Sequence, residues 1–128
     1  MINSNELRIN NLVTWDSDKI HIVNELREDT ALLYGEDGSH VNATYKSINP
    51  IKLTDNIIQS LGFEYDLQTE AFTGKRVFTD SMSTIAEDGE FYNGIYSQKL
   101  EYLHQLQNLY FALFSQELKI ERLVAAFA

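Results

Sequence analysis

The sequence predicts an α+β protein, built as an N-terminal SH3-like small β barrel, a short helix, an antiparallel β sheet and a long C-terminal helix. Three observations predict it. Short apolar runs alternate with turn clusters from Asn11 to Leu53, a second set of alternating segments runs from Phe63 to Tyr96, and apolar residues recur at steps of three and four from Leu100 to Leu113.

In the first stretch, Leu12, Val13 and Trp15 lead into Asp16-Ser17-Asp18, while Ile20, Ile22 and Leu26 are expected to share one side of the next strand. Ala31 to Tyr34 follow the turn at Glu28-Asp29, and Asp37-Gly38 suits a hairpin because both residues tolerate positive φ. Short strands at this spacing fit a small curled barrel. Pro50 interrupts, and Thr54 or Asp55 can cap a helix over Asn56–Leu61, with Gly62 fitted to the left-handed position beyond a helix end. So short a helix is marginal alone, so Ile57, Ile58 and Leu61 should pack against strands, plugging one end of the barrel.

Phe63, Tyr65 and Leu67 alternate with Glu64, Asp66 and Gln68, the period of a strand with one wet face. Strands at Ala71–Phe72, Arg76–Thr79, Met82–Ile85 and Phe91–Tyr96 are expected to follow, with turns at Thr73-Gly74 and Asp88-Gly89. Ser97 then reads as the cap of a helix running to about Phe114. Leu100, Leu103, Leu106, Tyr110 and Leu113 form its apolar stripe, Tyr102, Leu109 and Phe114 widen it, and Lys99, Glu101, Gln105 and Asn108 form the polar strip. Residues 115–128 make a second helix or an extended arm, whose Leu123, Val124 and Phe127 need cover from this domain or a partner. The whole is read as a single domain, residues 1–128, with sub-lobes at 1–54, 55–96 and 97–128.

At 128 residues, 44% of them hydrophobic, the chain has the material for a packed core. It has no cysteine, which excludes disulfides, thiolate metal sites and a Cys nucleophile and fits a reducing compartment. The opening MINSNELRIN has neither the basic segment nor the apolar run of a secretory signal, and no stretch approaches the roughly 18 apolar residues of a membrane span. The expectation is a cytoplasmic protein with no membrane partner. A net charge of −9 argues against phosphate-driven nucleic-acid binding, which needs a Lys/Arg surface to release counterions. Residues 55–96 hold −6 of that charge.

Catalytic and cofactor motifs are wanting. His21, His40 and His104 have no metal-ligand spacing; His21 and His40 read as surface histidines on strands, and His104 as a hydrogen-bonding group at the core edge. Asp16-Ser17-Asp18 opens like a calcium loop, but His21 stands where glycine is needed and Arg27 where the bidentate glutamate belongs. Gly74-Lys75-Arg76 lacks the first glycine of a phosphate loop, Thr69 standing there, and has Arg in place of Ser/Thr. Ser81 and Ser83 lack a nucleophile elbow. No enzyme and no cofactor are expected. Surfaces remain: Asp80, Glu87, Asp88 and Glu90 in the acidic middle, and Leu123, Val124 and Phe127 in the tail, are the candidate partner-binding residues.

The stretch Tyr102-Leu103-His104-Gln105-Leu106-Gln107-Asn108-Leu109-Tyr110-Phe111-Ala112-Leu113, followed by Gln116-Glu117-Leu118, resembles the end of a group of small uncharacterised proteins of Bacteroidota phages, prophages and conjugative elements. Asn5 to Val13, Ile51 to Thr54 and Leu61-Gly62-Phe63 resemble the opening and middle of the same group. The chain departs from it at Asn10, where glycine is expected, and at Phe114-Ser115, where a Thr-Gly helix stop is usual. The resemblance implies a mobile-element origin and a bacterial cytoplasm, and assigns no functional residue. The function expected is a non-catalytic interaction or accessory protein with a protein partner, with a homodimer through the C-terminal tail as one assembly. The alternative is an acidic inhibitor occupying the nucleic-acid groove of a host protein.

Overall fold

A computed structural model describes residues 2, 4–16, 19–80, 83–86, 89–93 and 96–120, Tyr96 by its backbone alone. In chain order the elements are a 3-10 turn (Ser4–Glu6), β1 (Leu12–Trp15), β2 (Lys19–Leu26), β3 (Thr30–Gly35), β4 (His40–Thr44), a second 3-10 turn (Tyr45–Ser47), α1 (Asp55–Ser60), β5 (Glu64–Tyr65), α2 (Leu67–Thr73), β6 (Val77–Thr79), β7 (Thr84–Ala86), β8 (Glu90–Asn93), β9 (Tyr96–Lys99) and α3 (Leu103–Phe114). The mixed α+β class is as expected. The chain divides into two compact units, one comprising Met1–Lys52 with Tyr102–Leu118 and the other Leu53–Glu101.

The first unit holds an antiparallel sheet in the order β1-β2-β3-β4. Its core is Val13, Val23, Ala31, Leu33, Ala43 and Ile48, closed by Ile2 and Leu7. The expected face of β2 is corrected: Val23 is fully buried, while Ile22 is half-buried and Leu26 exposed. A bulge between Val23 and Glu25 adds one residue, reverses the alternation and takes Leu26 off the Ile20 side, placing it opposite Ala31. No closed barrel forms among the described residues. At the sheet's β1 edge Thr14 and Asn49 exchange N–H···O bonds of 2.9 and 3.0 Å as the chain leaves the second 3-10 turn.

α3 belongs to this unit. It begins at Leu103 and not at Ser97, because residues 96–99 are strand β9, held in register by Tyr92↔Ser97 and Glu90↔Lys99. The Gln105 side chain caps the new start, accepting from the Tyr102 N–H at 3.0 Å. The buried stripe is Leu103, His104, Leu106, Gln107 and Tyr110, so two polar residues replace Leu113, which is exposed with Phe111.

In the second unit, α1 forms as expected, with the Thr54 hydroxyl accepting from the Ile57 N–H, and Ile57, Ile58 and Leu61 buried. The alternation at residues 63–68 does not make a long strand. β5 is two residues, and Asp66 instead starts a helix by accepting from the N–H groups of Gln68 and Thr69; Gly74, at φ 76°, ends it. The strand expected at Ala71–Phe72 is therefore the last turn of α2, with Phe72 92% exposed. β5 to β9 form an antiparallel sheet in sequence order around Phe78, Ile85 and Phe91. No helix among the described residues is long and apolar enough to cross a membrane.

Candidate functional site

Antiparallel order brings the β1–β2 and β3–β4 turns to the same end of the first unit's sheet. Between them is a half-open cleft of about 460 Å³ lined by Trp15, Asp16, Lys19, Ile20, His21, Gly35, Glu36, Asp37 and Ser39. That volume lies in the range of small-ligand pockets. The β3–β4 turn is fixed by Gly35 N–H to the Ser39 carbonyl at 2.8 Å and by Gly38 at φ 84°. Within it Asp37 Oδ1 accepts from the Ser39 N–H at 3.0 Å and the Ser39 hydroxyl at 2.6 Å. These bonds, the hydroxyl first, hold the Asp37 carboxyl below its ordinary range, so it is charged at neutral pH.

His21 pairs with Gly35 across the sheet and is only 6% exposed, which corrects the surface reading. Its ring meets Trp15 edge to face at 5.6 Å between centroids. Nδ1 lies 2.9 Å from the Lys19 carbonyl, which can only accept, so Nδ1 carries a proton and Nε2 is the acceptor nitrogen of that tautomer. A methyl group on Gly35 would meet Ser39 Oγ at 2.8 Å, Asp37 Oδ1 at 3.0 Å and His21 Nε2 at 3.3 Å. The absent side chain lets three polar atoms, from Ser39, Asp37 and His21, close in on Gly35 where a methyl group would collide with them. Among the described residues three carboxylates line the cleft against one ammonium, and that ammonium, on Lys19, lies 3.7 Å from Asp16.

The residues singled out from sequence do not form one site. Asp80 is in the β6–β7 turn, accepting from the Ser83 N–H at 2.7 Å, whereas Glu90 opens β8 beyond the other end of β7. Glu87, Asp88, Leu123, Val124 and Phe127 lie outside the described residues. The cleft residues escaped sequence reading because they come from both hairpins. Two signals pointed there: Trp15 is the chain's single tryptophan, and His21 alternates with Val23 on the side opposite Ile20 and Ile22.

A second polar cluster joins the N-terminal segment to α3. Gln107, fully enclosed, donates to the Asn10 carbonyl at 3.0 Å and accepts from the Leu12 N–H at 2.8 Å, pairing with the chain ahead of β1 as another backbone would. Asn108, assigned to a solvated strip, instead donates to the Glu6 carbonyl and accepts from Asn11 and Arg8. Arg8 lies over the Phe111 ring and pairs with both oxygens of Glu117 at 2.6 and 2.7 Å. Asn10 and Ser115, the two departures noted in the sequence, have φ of 80° and 56°. Glycine takes that region without strain. His104 differs: among the described residues its buried ring nitrogens have no hydrogen-bond partner, with Nε2 3.5 Å from Glu6 Oε2.

Among the described residues no group of three His, Asp or Glu is placed to hold a metal. Comparison with protein-family models, curated proteins and solved structures gives no match.

Proposed function

We propose that the chain is a non-catalytic interaction protein of a bacterial phage or other mobile element, and that the cleft between the two hairpins of the first unit receives a side chain of a protein partner. The observation that carries this reading is the cleft itself: a concave site with an indole wall and several polar side chains in its lining. The pair of carboxylates that acid/base chemistry would need finds no support in Asp37, Asp66 and Glu117, all held below the ordinary range by hydrogen bonds. The mobile-element origin rests on the sequence resemblance. Its opening and helical blocks bond to each other through Arg8, Asn10, Asn11, Gln107 and Asn108, which gives them a structural reason to occur together.

We also read the first unit as an SH3-like barrel. The support is its order of four meandering strands, a 3-10 turn and a return to the edge of β1 at Asn49. A photo-crosslinking residue at Glu36, on the cleft rim, tests the function against one at Lys46, exposed elsewhere in the unit. A discrete adduct in a Bacteroidota lysate from position 36 alone, competed away by unlabelled protein, is expected. Equal labelling from both positions, or none, would overturn the reading.

A further inference from the structure

We infer that the cleft takes a cationic side chain, an arginine from a basic segment of the partner protein. This rests on the reading of the cleft as the recognition site and names its ligand. Charge sets the sign. Asp16, Glu36 and Asp37 face one lysine on a chain of net charge −9, so an anionic group would meet repulsion at the rim and from the whole molecule, while a cation is drawn in.

The second observation is independent of charge. His21 is enclosed almost completely, yet it lines the cleft and its Nε2 accepts no hydrogen bond among the described residues. Nε2 is not among the atoms sealed from solvent without a partner, so it is open to a donor that enters the cleft. Asp37 engages Ser39 through Oδ1, which leaves Oδ2 for the same donor. A metal ion is a poorer fit to this arrangement, since among the described residues no group of three His, Asp or Glu is placed to hold one. Arginine suits it better than lysine. Its planar fork presents five N–H groups in fixed directions, enough to reach separated acceptors at once, and its weakly hydrated face packs against an indole such as Trp15. Lys19 is the opposing element, a like charge at the mouth of the cleft.

Because Trp15 is the only tryptophan, its fluorescence reports on the cleft without a label. The full chain is titrated with capped tetra-arginine, tetra-lysine and tetra-glutamate peptides. A saturable change with tetra-arginine, weaker with tetra-lysine and absent with tetra-glutamate, is expected. Affinity should fall at least about tenfold in the Glu36→Gln/Asp37→Asn variant and rise in Lys19→Ala, as charge complementarity sets both. Glu28→Gln/Asp29→Asn removes the same charge from the exposed turn between β2 and β3, at the other end of the sheet, and should leave affinity within about twofold. Equal weakening by both double variants would overturn the inference in favour of unspecific attraction. A response to tetra-glutamate equal to that of tetra-arginine would overturn it too. No response to any peptide, with the position-36 adduct still formed, would sink the arginine ligand and leave the recognition site standing; loss of both would remove the two together.

Discussion

His104 is a buried imidazole with neither nitrogen hydrogen-bonded, an arrangement that leaves about 1–3 kcal/mol of desolvation uncompensated. Burial is the larger influence on its protonation and pushes it below the ordinary histidine range, against the opposing pull of Glu6. The unfolded chain takes up a proton near pH 6.5 that the folded chain refuses, so this contribution to stability is complete above that pH and shrinks as pH falls below it. Thermal melts from pH 7.5 to 5 should show that loss in the wild type and a smaller one in His104→Leu; parallel curves would contradict the account. Ser115 makes the opposite kind of prediction. Its backbone is left-handed at φ 56°, where a side chain is disfavoured, so Ser115→Gly should stabilise by about 0.5–1 kcal/mol in denaturant unfolding, and a destabilised variant would show that its side chain has a task of its own. Ser115's sequence position pointed to this through the departure from a glycine stop. Gln107 and Asn108 did not disclose their part in the fold, because their partners are the backbone and side chains of residues 6–12, about a hundred positions away.

At the scale of elements, strong local signals survived into the structure. Trp15, Asp37-Gly38, Thr54 and Gly62 placed turns and caps where the chain has them. α2 was hidden because Phe63, Tyr65 and Leu67 satisfy a strand pattern until Asp66 turns the backbone; the carboxylate eight residues ahead of Gly74 was the better signal. β9 was absorbed into the helix for a related reason. Ser97 is a good cap by type, but residues 96–99 have a ladder to join, and cross-strand pairing outweighs propensity. Gly89 makes that ladder possible. It has φ 88°, and a methyl there would run into the Leu100 carbonyl, which itself accepts no room because Leu100 N–H donates to Gly89 at 2.8 Å. Gly89→Ala should therefore destabilise the second unit by at least about 2 kcal/mol, from the left-handed backbone and the collision together, with amide exchange quickening first in β8 and β9. Unchanged exchange there would mean that the strand pair does not depend on this approach.

At the scale of the molecule, the second unit is an insertion in the first. Ile51 and Lys52 pair with Leu103 and Tyr102 on one side of the crossing, and Leu53 pairs with Glu101 on the other. Sequence reading placed the acidic surface at residues 55–96 because the net negative charge is greatest there. Counting ignores which charges share a cavity. Asp16, Glu36 and Asp37 are fewer, but two hairpins bring them to one cleft with Trp15 and His21, while Asp80 and Glu90 are separated by the length of β7. The most direct test of that contrast is an amide-resolved NMR titration of the full chain with capped tetra-arginine. Shifts concentrated at Trp15, Asp16, Lys19, His21 and residues 35–39, saturating together, are the predicted result. Shifts that instead gather around Asp80 and Glu90, or spread evenly over every exposed carboxylate, would contradict it.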